Sequence, residues 1–116
     1  MYCCGMLATV TPSHTDSLAR LGHALSDPTR ARILLALREA PALPSELADG
    51  LGVSRQKLSN HLACLRGCGL VDGAKEGRNT RYRLSDPHLD AALGDLMRLT
   101  LIVDPDCCSA GACRCA

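Results

Sequence analysis

Residues 53–70 read VSRQKLSNHLACLRGCGL, and this stretch decides the fold. Ser54 offers a side-chain oxygen to the unpaired N–H groups of a helix start. Gly67 and Gly69 tolerate the left-handed conformation with which many helices end. Leu58, Leu62 and Leu65 recur at i, i+4 and i+7, which at about 100° per residue makes one narrow apolar stripe. Gln56, Ser59, Asn60 and Ala63 fall together on a small, hydrogen-bonding face. Lys57, His61, Cys64 and Cys68 form a third stripe along the flank. The spacing predicts one helix with three surfaces: a core stripe, a polar reading face and a thiol pair.

Immediately upstream, SELADGL predicts a short helix capped by Ser45 and ended by Gly50 or Gly52. Helix, tight turn and Ser54-capped helix make a helix-turn-helix, whose second helix enters the major groove. Further upstream, Leu18, Leu21 and Leu25 mark a first helix from about Ser13. Asp27 and Pro28 suit the cap and first turn of a second helix, which Ile33, Leu34 and Leu37 carry to about Arg38. Residues 39–44 read as a turn. Downstream, 70–75 and 80–84 are short β-type runs around Glu76–Asn79, a hairpin or wing with Arg78, Arg81 and Arg83 at or beyond its tip. Asp86 and Pro87 repeat the cap-plus-proline device and open a last helix, about 87–103. Its apolar positions (Leu89, Ala92, Leu93, Leu96, Leu99, Val103) are too many for a lone surface helix to hide. The expectation is a mainly α chain with a small β-hairpin, a winged helix-turn-helix dimerising through its first and last helices. Residues 13–103 form that domain, 1–12 a flexible cysteine-bearing arm, and 104–116 a cysteine-rich tail.

Composition agrees. The 116 residues hold no Phe or Trp and two Tyr, so the core is aliphatic, which suits packed helices. No run of 18 apolar residues and no signal pattern occur, so a cytoplasmic protein without membrane contact is expected. Net charge is only +1, but residues 54–83 carry seven basic side chains against two acids. That segment is +5 and the remainder −4. A localised positive segment is either a footprint for nucleic-acid phosphates or a solvated charged face. On the first reading Gln56, Ser59 and Asn60 reach base edges, Arg55 and Lys57 beside Ser54 hold phosphates, and Arg78 and Arg81 touch the DNA backbone or minor groove. His61 is read as a DNA contact, with packing or metal ligation as alternatives.

Eight cysteines cluster as Cys3–Cys4, Cys64/Cys68, Cys107–Cys108 and Cys113/Cys115. Adjacent cysteines are poorly placed to bridge each other, and a reducing compartment keeps them as thiols. Cys64 and Cys68 are four apart, so one helix turn brings their sulfurs together around one ion. The bland alternative is two small buried apolar residues. Three thiolates favour Cd(II), Pb(II) or As(III); Zn(II) accepts sulfur but prefers four ligands. A dithiol enzyme more often shows C-x-x-C at a strand-to-helix turn, so no enzyme is expected. Metal storage explains the cysteines but not the wing or the localised charge.

The phrases LSDPTRARILLAL, LPSELADGLGVSRQKLSNHLACLRGCGLV and EGRNTRYRLS, in that order, closely resemble the ArsR–SmtB family of winged-helix metal-sensing repressors. The likeness runs from about Leu18 to Val103. It implies a homodimeric repressor that sits on an inverted-repeat operator in double-stranded DNA and leaves when metal binds. Two of the family's metal motifs are missing. A cysteine motif on the third helix is replaced by SELADGL. A last-helix zinc site is represented by Asp86 and His88, but its downstream positions hold Leu99 and Ile102. Cysteines in the reading helix plus a cysteine tail resemble instead the CmtR-type cadmium–lead sensors. That likeness implies a ligand set of Cys64, Cys68 and a tail thiolate near Cys107–Cys108, from the partner subunit. Cys3 and Cys4 are read apart from it, either as an alternative arsenic site with the helix pair or as a plain arm. The thirteen residues after Val103 can span tens of ångströms when extended.

Overall fold

The computed structural model describes residues 13–99 and 101–102. Their elements run α1 (His14–Leu25), α2 (Pro28–Glu39), α3 (Pro44–Leu51), α4 (Arg55–Gly67), β1 (Val71–Glu76), β2 (Asn79–Leu84) and α5 (Pro87–Met97). This is the winged helix-turn-helix expected from the residue pattern. The arm and tail, with Cys3, Cys4, Cys107 and Cys108, lie outside the described residues.

Local chemistry sets most boundaries. Ser13 and Asp16 form a reciprocal capping box at α1. Asp27 accepts from the Arg30 N–H at 2.9 Å, and Pro28 needs no partner in the first turn of α2. The start of α3 differs from expectation. Ser45 lies inside the helix, Leu43 is the cap position, and the Glu46 carboxylate reaches back to the Leu43 N–H at 2.7 Å. Pro44 sits in the first turn, where its missing N–H is harmless. At the far end Gly52 turns left-handed (φ +69°) and swings the chain into α4.

Ser54 caps α4, accepting from Lys57 N–H at 3.1 Å. Its end is a Schellman motif: Leu70 N–H bonds Leu65 C=O and Gly69 N–H bonds Arg66 C=O, each at 3.0 Å, with Gly69 at φ +80°. Leu58, Leu62 and Leu65 are buried as the stripe required, against Ile33, Leu34 and Leu37 of α2 and Leu47 of α3. Each fully buried leucine contributes about 1.5–3 kcal/mol, so this layer fixes how α4 sits on the body.

The wing is an antiparallel pair closed by the two-residue turn Gly77–Arg78, with Glu76 opposite Asn79. Gly77 takes the positive φ (+62°) that the first position of such a turn demands. The wing root is tied to the body by reciprocal backbone bonds between Ala42 and Tyr82 (2.9 and 2.8 Å). Helix α5 is capped by Asp86, but it stops at Met97 rather than near 103. Only Leu89 and Leu93 of its stripe are buried. A helix is held mainly by its packed face, and beyond Met97 none of the described residues is buried. Leu96, Leu99, Leu101 and Ile102 are exposed accordingly.

Candidate functional site

The core stripe points α4's opposite side outward. Ser54, Arg55, Gln56, Lys57, Ser59, Asn60 and Ala63 are all exposed, on the first three turns of the second helix of the helix-turn-helix. Gln56 Nε2 donates to Asn60 Oδ1 at 3.1 Å across one helix turn. Arg78 stands exposed at the wing tip, with Lys75 and Arg83 also exposed along the hairpin.

Two expected contacts are held differently. His61 is turned inward: its side chain is 15% exposed and its Nε2 lies 3.8 Å from Asp27 Oδ2 at the start of α2. Burial holds the imidazole below its ordinary pKa of 6.5, while the Asp27 charge pulls the other way. Arg81 is half-buried and clamped by acids, Glu76 at 2.9 Å and Glu46 of α3 at 3.5 Å. Glu76 raises the Arg81 pKa first by its hydrogen bond and then by its charge. From sequence Asp27 reads as a helix cap and Glu76 as part of the hairpin turn, and neither they nor Glu46 reads as a partner of His61 or Arg81. Glu76 was within reach of a register argument, since it lies diagonally across the turn from Arg81. The other two are distant in sequence and leave no local signal.

Cys64 and Cys68 occupy the end of α4. Cys64 is inside the helix and Cys68 is its C-cap residue, the Cys68 N–H donating to Cys64 C=O at 3.0 Å. Both side chains are half-buried and neither is on the core stripe. Both are disulfide-bonded, where reduced thiols were expected. Cys68 also lines a 460 Å³ cleft where α1 (Ser17, Leu18, Arg20, Leu21), the α4 end and the start of α5 (His88, Leu89, Ala92) converge. The end of α4 and the outer helices α1 and α5 thus meet at Cys68.

Asp86 and His88 do form a contact, Asp86 Oδ1 to His88 Nδ1 at 3.0 Å. The His88 backbone N–H, donating at 2.7 Å, is the main cause holding the Asp86 carboxyl below 3.8. No group of three metal-binding side chains occurs among the described residues. Nor is any helix among them long and apolar enough to cross a membrane.

Residues 27–72, from the α2 cap to the wing's first strand, match the family model for bacterial regulatory proteins of the arsR family. The HTH-type transcriptional regulator CmtR of Mycobacterium tuberculosis is 57% identical over 91 residues, covering 78% of this chain and 77% of that protein. The chain belongs to the arsR family of bacterial regulatory proteins. Another relative, a probable mercury resistance operon repressor of Streptomyces lividans, is 34% identical, covering 94% of this chain and 86% of its own. The NMR structure of the cadmium metal-sensor CMTR from Mycobacterium tuberculosis superposes with a TM-score of 0.62, over 76% of this arsR-family chain and 92% of that one.

Proposed function

We propose that this chain is a metal-responsive transcriptional repressor, working in the cytoplasm, that binds an inverted-repeat operator as a homodimer and leaves it on binding Cd(II) or Pb(II). The observation that carries the reading is the placement of Cys64 and Cys68 one turn apart at the end of α4, off the core stripe, with Cys68 lining the cleft between α4, α1 and α5. A metal held there is anchored to the helix that reads DNA and to the helices that set the dimer. Likeness to a cadmium sensor and to a probable mercury resistance repressor supports a soft, sulfur-seeking ion. As(III) belongs to the same chemistry, and Zn(II) is the weaker competitor.

Two thiolates leave a soft ion incompletely ligated, so Cys107 or Cys108 of the tail completes the site, with Cys3 and Cys4 as the alternative source. Ser54, Arg55, Gln56, Lys57, Ser59 and Asn60 face the major groove, Arg78 meets the DNA backbone, and His61 and Arg81 orient the elements that carry them. Exposed Leu18 on α1 and Leu96, Met97, Leu99, Leu101 and Ile102 at the end of α5 form the dimer surface. Metal stapling tail to α4 favours one dimer geometry over the one that fits two half-sites. Linkage then requires DNA to weaken metal by the same factor, typically about 5–150-fold.

The test is operator binding by the reduced protein, titrated in parallel with Cd(II), Pb(II), arsenite and peroxide. Release by Cd(II) or Pb(II), with a thiolate-to-metal charge-transfer band that disappears in Cys64→Ser and Cys68→Ser, is expected. Retention of band and response in both variants would make the pair structural.

A further inference from the structure

We infer that Gln56 and Asn60 act as one unit that reads an adenine, and hence an A·T pair, in each half of the operator. The inference rests on the proposed role of α4 as the DNA-reading helix and adds to it the base that is read.

Gln56 Nε2 donates to Asn60 Oδ1 at 3.1 Å, and both side chains are exposed on the face opposite the buried leucines. This bond uses one of the two Gln56 N–H groups and one of the two lone pairs on the Asn60 oxygen. What remains is a donor and an acceptor side by side, at that same 3.1 Å spacing. The bond sets the nitrogen of one amide against the oxygen of the other, so the pair arrives with one donor and one acceptor already together.

Adenine is the base whose own major-groove edge carries a donor, N6–H, beside an acceptor, N7. Guanine presents two acceptors and would set its O6 against the Asn60 oxygen. Cytosine and thymine each offer a single polar group. The surroundings favour an approach to base edges. Arg55 and Lys57 flank Gln56 with positive charge for phosphates, while Ser59 and Ala63 are exposed and small, so neither holds the helix away.

The experiment uses the full-length, reduced, metal-free protein and a pool of duplexes with randomised sequence. Wild type is expected to enrich a two-fold repeat containing an A·T position in each half, at which G·C weakens binding about tenfold or more. Replacing that adenine by 7-deazaadenine, which lacks the N7 acceptor, gives a loss of the same kind. Gln56→Ala and Asn60→Ala each remove the preference at that one position, leave the others and the salt dependence unchanged, and the double variant loses little more than either single one. Both residues are exposed and alanine suits a helix, so far-UV circular dichroism is expected to be unchanged. Preferences that persist in both variants, or losses that add at two different positions, overturn the unit. A wild-type protein that enriches no sequence at all would overturn the reading role of α4 itself, a distinguishable failure.

Discussion

His61 lies on α4, the second helix of the helix-turn-helix, yet faces the start of α2, with Asp27 3.8 Å away. Its proton is bound more weakly in the folded than in the unfolded chain, because burial disfavours the charged ring. The sign follows from linkage. Below the ordinary value of 6.5 the unfolded chain takes up protons first, so stability falls as pH drops from there through the lower folded value. Urea midpoints between pH 7 and 5 should therefore decline less in His61→Gln than in wild type; parallel curves would rule this out. Arg81 makes a second prediction at this scale. Arg78→Ala should lower the salt slope of DNA binding by about one contact, whereas Arg81→Ala, freeing Glu46 and Glu76, should change affinity with little change in slope. Equal slopes for the two variants would return Arg81 to the phosphate contacts. Neither orientation was legible in the sequence. Helical spacing places His61 on a flank and the wing places Arg81 near DNA, but Asp27 and Glu46 reach them only through the fold.

Among the elements, the helix-turn-helix and wing were legible because their signals are local: serine and aspartate caps, a leucine stripe, glycines at reversals. The end of α5 was not, because where a helix stops depends on what its apolar face packs against, and Leu96 and Leu99 stay exposed among the described residues. Only one side of α5 is engaged. Arg38 of α2 binds Asp90, its Nε lying 3.0 Å from the backbone oxygen and 2.8 Å from Oδ1, and its Nη1 lies 3.7 Å from Met97 Sδ. A Cβ at Gly94 would collide with the Arg38 guanidinium, so glycine there lets the clamp close. Arg38→Ala should cost about 1 kcal/mol, a modest figure because both groups are partly exposed, and should speed amide exchange across α5 first. Exchange that rises evenly over all helices would show a general loss instead. At the other end of the DNA-reading helix, Gly69→Ala should destabilise by about 1 kcal/mol or more through its φ of +80°.

For the whole molecule, the thiol chemistry was legible only in half. Sequence spacing pointed to Cys64 and Cys68; the cleft joining Cys68 to α1 and α5 appears once the chain is folded. A chain cut after Asp106 tests the division of labour. It keeps α1–α5 and should bind operator as the full chain does, yet fail to release it at low Cd(II). Release at wild-type concentration would assign the remaining ligand to Cys3 or Cys4.

The tie between wing and body has one more consequence. Tyr82, whose backbone makes that tie, lays its ring over Gly73, where an added Cβ would come within 3.3 Å of Cε1. With no tryptophan or phenylalanine and only Tyr2 besides, the near-ultraviolet spectrum is almost empty. In a Tyr2→Phe background the protein carries a single intrinsic fluorophore, seated where the hairpin joins the body. Its emission and near-ultraviolet dichroism would then report wing movement during a metal or DNA titration without any attached dye.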